Sequence, residues 1–154
     1  MRIGATKIMN EMVKNIKEIH KEDVCLFKIG SFYHTFQRDA YIISYLFGYK
    51  LKKNGNNAEC GFPQNIILKV ESKLENNKIN YILIDRRNNY DVDEKEDFKN
   101  NNKYLECYQN ANKYINLKFR IENISNYLME NIENNSTRQI INKVEEIIDE
   151  GRKI

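Results

Sequence analysis

One stretch indicates the architecture of this chain most clearly: Val24-Cys-Leu-Phe-Lys-Ile-Gly-Ser-Phe-Tyr-His-Thr-Phe36. An apolar segment runs into Gly30 and is followed at once by two aromatic residues, Phe32 and Tyr33. Glycine lets the backbone turn and approach a partner closely, and neighbouring residues of an extended segment point to opposite sides. The pattern predicts a strand over 24–29 and leaves one ring outside, where it can meet a flat ligand.

Several spaced motifs accompany this stretch. The segment Phe27-Lys-Ile-Gly-Ser-Phe-Tyr-His-Thr-Phe36 is followed by Asp39-Ala40. Further segments are Thr6-Lys-Ile-Met9, Tyr49-Lys-Leu-Lys-Lys53, Cys60-Gly-Phe-Pro63, Val70 to Leu74 and Ile79-Asn-Tyr-Ile-Leu-Ile84. Together they resemble the N-terminal mismatch-recognition domain of the MutS family over about residues 5 to 92, and several motifs in order are more specific than one.

The resemblance implies a role for the exposed ring. In the family, the phenylalanine that matches Phe32 wedges beside a mispaired base from the minor groove. The position that matches His34 is normally a glutamate that hydrogen-bonds this base, and here a histidine stands there. His34 could accept a hydrogen bond when neutral or pair with a phosphate when protonated, but it cannot reproduce the discrimination of a carboxylate.

Basic residues close to this stretch could neutralise phosphates. The residues predicted to contact nucleic acid are Lys28, Gly30, Phe32, Tyr33, His34, Arg38, Lys50, Lys52 and Lys53. An alternative interpretation makes Phe32 a core residue with Tyr33 as its exposed neighbour. The lysines would then be an ordinary solvated face.

The order of periodic segments predicts one α/β domain. An amphipathic helix over 5–20 and the strand over 24–29 precede a helix over 39–47 that Gly48 stops. The remaining predicted elements are a strand over 49–53, a turn at Asn54-Gly55, a returning strand over 58–62, a helix that starts at Pro63 and ends near residue 76, a strand over 79–84 and an edge strand over 90–92. A small mixed β-sheet flanked by helices, similar to MutS domain I, is expected.

The periodicity changes after an acidic, Asn-rich segment at residues 93–102, which predicts a boundary between a domain at 1–98 and a C-terminal part at 99–154. A long helix is expected from Tyr104 to Ile132. A capping box at Ser136-Thr-Arg-Gln139 predicts a second helix that ends before Gly151. The resulting helical hairpin carries a narrow aliphatic stripe, which must pack on the first helix, on the α/β domain or on another chain. We therefore expect a homodimer or a larger protein partner through 99–154.

Charge and composition narrow the possible functions. Residues 1–90 carry 15 Lys and Arg against 9 Asp and Glu, whereas residues 91–154 carry 10 against 13, which suits a nucleic-acid-facing front half. The sequence contains no Gly-rich loop followed by Gly-Lys-Ser/Thr, so the family's ATPase is not expected here. No apolar run is long enough to cross a bilayer, and we expect a cytoplasmic protein that contacts no membrane.

The spacing of the cysteines does not indicate a reactive site. Cys25, Cys60 and Cys107 are odd in number and far apart, so a disulfide framework or a paired-cysteine zinc site is not indicated. His34 with Cys25 or Cys60 could form a metal site or a thiol-imidazole pair, but buried structural thiols explain the same residues. No catalytic residue, metal or cofactor is predicted.

Three functions fit these observations. The first is a stand-alone, non-enzymatic relative of the MutS recognition domain that binds mismatched or irregular DNA by inserting an aromatic ring. The second is a protein-interaction adaptor on the same fold. The third is RNA binding, as an accessory of a mobile element or a polymerase, because stacking tolerates any base.

Overall fold

The computed structural model describes residues 2–85, 87 and 91–153, and the side chains of residues 11–85, 87 and 97–153. The helices are α1 (Arg2–Ile19), α2 (Arg38–Phe47), α3 (Ile67–Asn76), α4 (Tyr104–Glu130) and α5 (Asn135–Arg152). The strands are β1 (Val24–Ile29), β2 (Phe32–Phe36), β3 (Lys52–Asn54), β4 (Asn57–Pro63), β5 (Tyr81–Asp85) and β6 (Asp91–Glu96). Short 3₁₀ turns cover Gln64–Ile66 and Lys99–Asn101.

Within the described residues, a six-stranded sheet has the order β3-β4-β2-β1-β5-β6. The pairing of β1 with β5 is parallel, and the other neighbours pair antiparallel. The predicted fold class, a mixed sheet with flanking helices followed by further helices, is confirmed. Among the described residues, every helix is too short or too polar to cross a bilayer.

The core lies on both sides of the two central strands. On one side Ile16 of α1 packs with Cys25 and Phe27 of β1 and with Ile82 and Ile84 of β5. On the other side α2 contacts β2 and β4. Alternate residues of β1 are therefore buried on opposite faces, which explains why the strand reads as a continuous apolar run.

Glycines shape the turns that the sequence predicted. Gly48 ends α2 with a left-handed φ of 72° and its N–H bonds to the carbonyl of Ser44. Gly55 follows Asn54 in the β3–β4 turn with a φ of 61°. These conformations cost glycine little and strain other residues.

Some element bounds differ from the predictions. Residues 49–51 of the strand predicted over 49–53 lie outside β3. The Tyr49 ring instead stacks on Phe47 with centroids 5.3 Å apart, and its carbonyl accepts a bond from Ser44. The predicted edge strand over 90–92 is instead β6, and residue 90 lies outside the described residues. Part of the acidic segment predicted as a boundary is therefore sheet.

The second helix of the C-terminal part also starts differently. Asn134 is its N-cap residue and makes no side-chain capping bond, so the predicted capping box at Ser136 does not form. Thr137 instead donates its hydroxyl to the carbonyl of Asn131 in the preceding turn. Gly151 lies inside α5, one residue before its end, rather than beyond it.

The chain divides into two compact units, residues 1–114 and 115–154. The predicted boundary at residue 98 thus falls inside the first unit. The physical reason is Tyr104, which is fully buried and donates its hydroxyl to Asp39. The first turns of α4 belong to the packing of the α/β unit, whereas its later turns and α5 form the second unit.

Candidate nucleic-acid interface

The site is built on the hairpin of β1 and β2. Gly30 adopts a left-handed φ of 64° in the tight turn between the strands. Directly paired residues of antiparallel strands share a face, and the ladder pairs Ile29 with Phe32 and Phe27 with His34. We call the face that carries Phe32, His34 and Phe36 of β2 the Phe32 face.

Phe32 stands at the tip of this face. Its side chain is 47% exposed, although it is a large apolar ring. Its cross-strand neighbours are Ile29 on β1 and Pro63 on β4, so the ring is set in a small apolar tip at the end of the sheet. The prediction that one aromatic ring stays outside is confirmed for Phe32.

Tyr33 takes the opposite position. It is only 8% exposed, and its ring stacks on Phe62 of β4 with centroids 5.6 Å apart. The alternative in which Phe32 is buried and Tyr33 exposed is wrong, because the alternation of β2 directs Tyr33 into the core under α2. Tyr33 lies outside the exposed surface that Phe32 forms, and it anchors the strand that presents the ring.

His34 lies next along the Phe32 face and pairs with a carboxylate. Its Nδ1 is 2.6 Å from Oε1 of Glu59 on β4, and because a carboxylate only accepts, Nδ1 carries the proton. Gly61 lies directly opposite His34 in the ladder and leaves room for the imidazole. The Phe36 ring lies almost parallel to the imidazole, 6.4 Å away. The imidazole is thus fixed in one tautomer and orientation.

The basic residues predicted for the interface lie on different faces of the sheet. Lys52 pairs with Glu59 in the β3–β4 ladder and therefore shares the Phe32 face. Lys28 pairs with Tyr33, and Lys53 with Ala58, which puts both on the other face. The Nζ of Lys53 also lies over the ring of Tyr41, 5.8 Å from its centroid.

Two further basic residues lie away from the tip. Arg38 begins α2, beyond the opposite end of β2, and its guanidinium lies 5.1 Å from the ring centroid of Tyr108. Lys50 is exposed in the segment between α2 and β3. Of the predicted set, Phe32 and His34 lie on the Phe32 face near the tip, with Gly30 in the adjoining turn, whereas Lys52 shares the face but lies level with Phe36 at the other end of β2.

Glu59 is the residue of this face that the sequence analysis missed. Its position opposite Phe36 and beside His34 follows from the register of β2 on β4. Residues two apart in a strand share a face, so Glu59 lies on the same face of β4 as Gly61. The sequence could have indicated this only if the register of β4 on β2 had been known.

The buried carboxylate of Asp39 bonds to the strand β1 of this hairpin. Asp39 is 2% exposed and accepts bonds from Lys17 Nζ at 2.8 Å, from the Tyr104 hydroxyl at 2.5 Å and from the backbone N–H of Cys25 at 3.0 Å. Burial raises the pKa of Asp39, and the contacts with Lys17 and Tyr104 oppose that rise. Asp39 therefore ties α1, β1 and α4 to the start of α2.

The cysteines are protected thiols. Burial, aided by the charge of Glu59, raises the pKa of Cys60 to about 12. Burial also raises the pKa of Cys25, and together with Glu106 it raises that of Cys107 to about 11. Thiolates are the reactive form, so these residues are suited to packing. In the described part of the chain, no group of three or more His, Cys, Asp and Glu side chains is placed to hold a metal ion.

Comparison of the sequence with known families gives a match over the part of the chain that carries this site. The family model described as MutS domain I matches residues 7–92, which is more than half of the chain. The chain belongs to the MutS domain I family. The matched region contains β1 to β5, the Phe32 face and the buried Asp39.

Individual relatives agree with this assignment. The chain is similar to the DNA mismatch repair protein MutS of Rickettsia canadensis, with 39% identity over 82 residues, which are 49% of this chain and 9% of that protein. It is also similar to the MutS proteins of Rickettsia prowazekii, with 37% identity over 82 residues covering 49% of this chain and 9% of that one, and of Borrelia turicatae, with 41% over 63 residues covering 41% and 7%. The chain thus spans less than a tenth of these relatives. All of α4 and all of α5 lie beyond the residues that match MutS domain I.

Proposed function

We propose that this protein binds irregular DNA, such as a duplex with a mismatch or an unpaired base, by inserting the ring of Phe32 between base steps. The observation that carries the proposal is the exposure of this large apolar ring at the tip of a hairpin in a MutS domain I fold. The curated relatives are DNA mismatch repair proteins. The resemblance to the family implies that Phe32 matches its wedge phenylalanine.

The energetics of insertion favour weakened duplexes. Separating two stacked base steps costs a few kcal/mol, and the cost is smallest where pairing is already lost. Stacking of the inserted ring on a base recovers part of this free-energy cost, about 1 to 3 kcal/mol per base. A rigid ring is needed for this selectivity, and the stacking of Tyr33 on Phe62 holds the strand that carries Phe32.

Electrostatics contribute modestly on this face. Lys52 and Glu59 carry opposite charges and lie opposite each other in the β3–β4 ladder, so this part of the face has no net charge and offers one phosphate contact, through Lys52. Discrimination between duplexes must then come chiefly from Phe32. His34 adds a hydrogen-bonding group beside the ring, held in place by Glu59. We infer a binding role rather than catalysis for these residues.

The test is a fluorescence anisotropy titration at low salt with the full chain. The probes are a duplex with a mismatch, the matched homoduplex and a single-stranded RNA of the same sequence. We expect the mismatched duplex to bind best and Phe32→Ala to weaken it at least about tenfold, because one stacking contact is lost. Leu68→Ala is the control, since it removes an even more exposed apolar side chain from α3, away from the Phe32 face.

Two outcomes would overturn the proposal. If wild type and Phe32→Ala bind the mismatched duplex equally, the ring is not the recognition element. If the RNA binds more tightly than either duplex, the preferred ligand is single-stranded RNA and the fold has been put to a different use.

A further inference from the structure

The proposed function leaves the aliphatic surface of α5 unexplained. Its aliphatic residues remain exposed, from 38% for Ile141 to 67% for Ile147, with Val144 at 42%. The stripe consists of Ile140, Ile141, Val144, Ile147 and Ile148. A contiguous aliphatic surface of this kind on a stable helix marks an interaction site.

The stripe is symmetric about Val144. Ile140 and Ile148 are each four residues from Val144, and Ile141 and Ile147 are each three residues from it. At about 100° per residue, the first pair lies about 40° to either side of Val144 and the second pair about 60°. The same pattern is therefore read in either direction along the helix.

A pattern that reads the same in both directions is self-complementary under a two-fold rotation. We propose that α5 packs antiparallel against α5 of a second copy of this chain, with the two-fold axis passing between the two Val144 side chains. In this arrangement Ile140 of one copy is level with Ile148 of the other, and Ile141 is level with Ile147. Every aliphatic residue of the stripe then has an aliphatic residue at its own height.

The charges of α5 favour the antiparallel direction. Its first half carries Arg138 and Lys143 and no acidic residue, whereas its second half carries Glu145, Glu146, Asp149 and Glu150 with Arg152 at the end. Antiparallel packing sets the basic half of one helix beside the acidic half of the other, and parallel packing would set acid beside acid. The helix dipoles also oppose each other in the antiparallel pair.

Exposed apolar residues of α4 also favour association of the second unit with a second copy. In α4, Leu117, Ile121 and Ile124 are each more than half exposed. Two helices by themselves have too little facing surface to enclose a core, and four-helix bundles are the usual solution. A second copy would double the helices of this unit and supply identical stripes to cover these residues.

Sedimentation equilibrium of the full chain tests this proposal. We expect twice the 18.4 kDa chain mass at moderate concentration. Val144→Glu should weaken self-association at least tenfold, because it sets two carboxylates against each other at the axis. Val144 is exposed in the single chain, so this change leaves the fold intact, and circular dichroism checks that helix content is kept. Asn142→Glu is the matched control, since it adds the same charge about 160° away on the helix and should leave the dimer unchanged.

The register has its own test. In a Cys107→Ser background, Val144→Cys should crosslink rapidly to its symmetry mate under copper phenanthroline, and Asn142→Cys should not. A wild-type chain that stays monomeric throughout the concentration range, or a dimer that Val144→Glu leaves intact, would overturn the proposal. The readout is mass and requires no DNA, so its failure is distinct from failure of the DNA-binding function.

Discussion

The imidazole of His34 and the carboxylate of Glu59 lie 2.6 Å apart across the adjacent strands β2 and β4. Position 34 holds a histidine where the resemblance to the family implies a glutamate, yet a carboxylate still lies on this face, supplied by the neighbouring strand. Because Glu59 also lies opposite Lys52 in the β3–β4 ladder, His34, Glu59 and Lys52 occupy three successive strands of the Phe32 face. If DNA lies along the Phe32 face as proposed, Lys52 is the lysine of β3 on the side that faces it.

Lys52 and Lys53 should differ in their effect on DNA binding. Neighbouring residues of β3 point to opposite faces, and only Lys52 shares the face of Phe32. We expect Lys52→Gln to weaken binding and to reduce the slope of log affinity against log salt by about 0.9, the value for one phosphate contact. Anisotropy titrations at several salt concentrations measure both. Lys53→Gln is the control, and an equal loss of slope in both variants would mean that the ligand does not lie on the Phe32 face.

Asp39 should be essential for the stability of the first unit. Asp39→Ala would leave the ammonium of Lys17 without its partner and the hydroxyl of Tyr104 and the N–H of Cys25 without an acceptor. Breaking such a buried pair costs about 3 kcal/mol, which urea unfolding can measure. Asp149→Ala, at an exposed residue of α5, should cost less than about 0.5 kcal/mol. A small loss at Asp39 would show that the network is dispensable.

Stability should fall at alkaline pH because of the buried thiols. The pKa of Cys60 is raised from 9.0 to about 12, chiefly by burial. The unfolded chain therefore releases this proton first, so the contribution to stability is complete below about pH 9 and is lost as the pH rises toward 12. We expect the free energy of unfolding to decline over this window, measured by urea titration at successive pH values.

Variants assign the decline to particular thiols. Cys60→Ala should be less stable than wild type at pH 7 but should lose less as the pH rises. Cys107→Ala should flatten the decline less, because the pKa of Cys107 is raised only to about 11. A pH dependence that neither variant changes would assign the alkaline loss to other groups.

Local chemistry made much of the fold predictable. The apolar run of β1, the glycine after α2 and the Asn54-Gly55 turn each act through the backbone of a few neighbouring residues, and each occurs where the sequence indicates. The exposure of Phe32 was predictable for the same reason, because alternation along a strand forces one of two adjacent rings outward.

Contacts between distant segments were not predictable. The hydroxyl of Tyr104 meets Asp39 across 65 residues, and no local pattern encodes that bond. The partner of His34 depends on the register of β4, and a shift by one residue would move Glu59 to the other face. The predicted boundary at residue 98 rested on composition, whereas packing carries the first unit into α4.

The position of Tyr104 has a practical consequence for anyone who wishes to prepare the recognition part separately. A truncated protein that stops at residue 98 would lack the phenol that caps Asp39 and the Asn102 side chain that accepts from Asn80. It would also expose to solvent the side chains that pack around Ala111, which is fully buried in the whole chain. A trimmed version suited to crystallisation with an oligonucleotide should therefore retain the opening turns of α4, through residue 114.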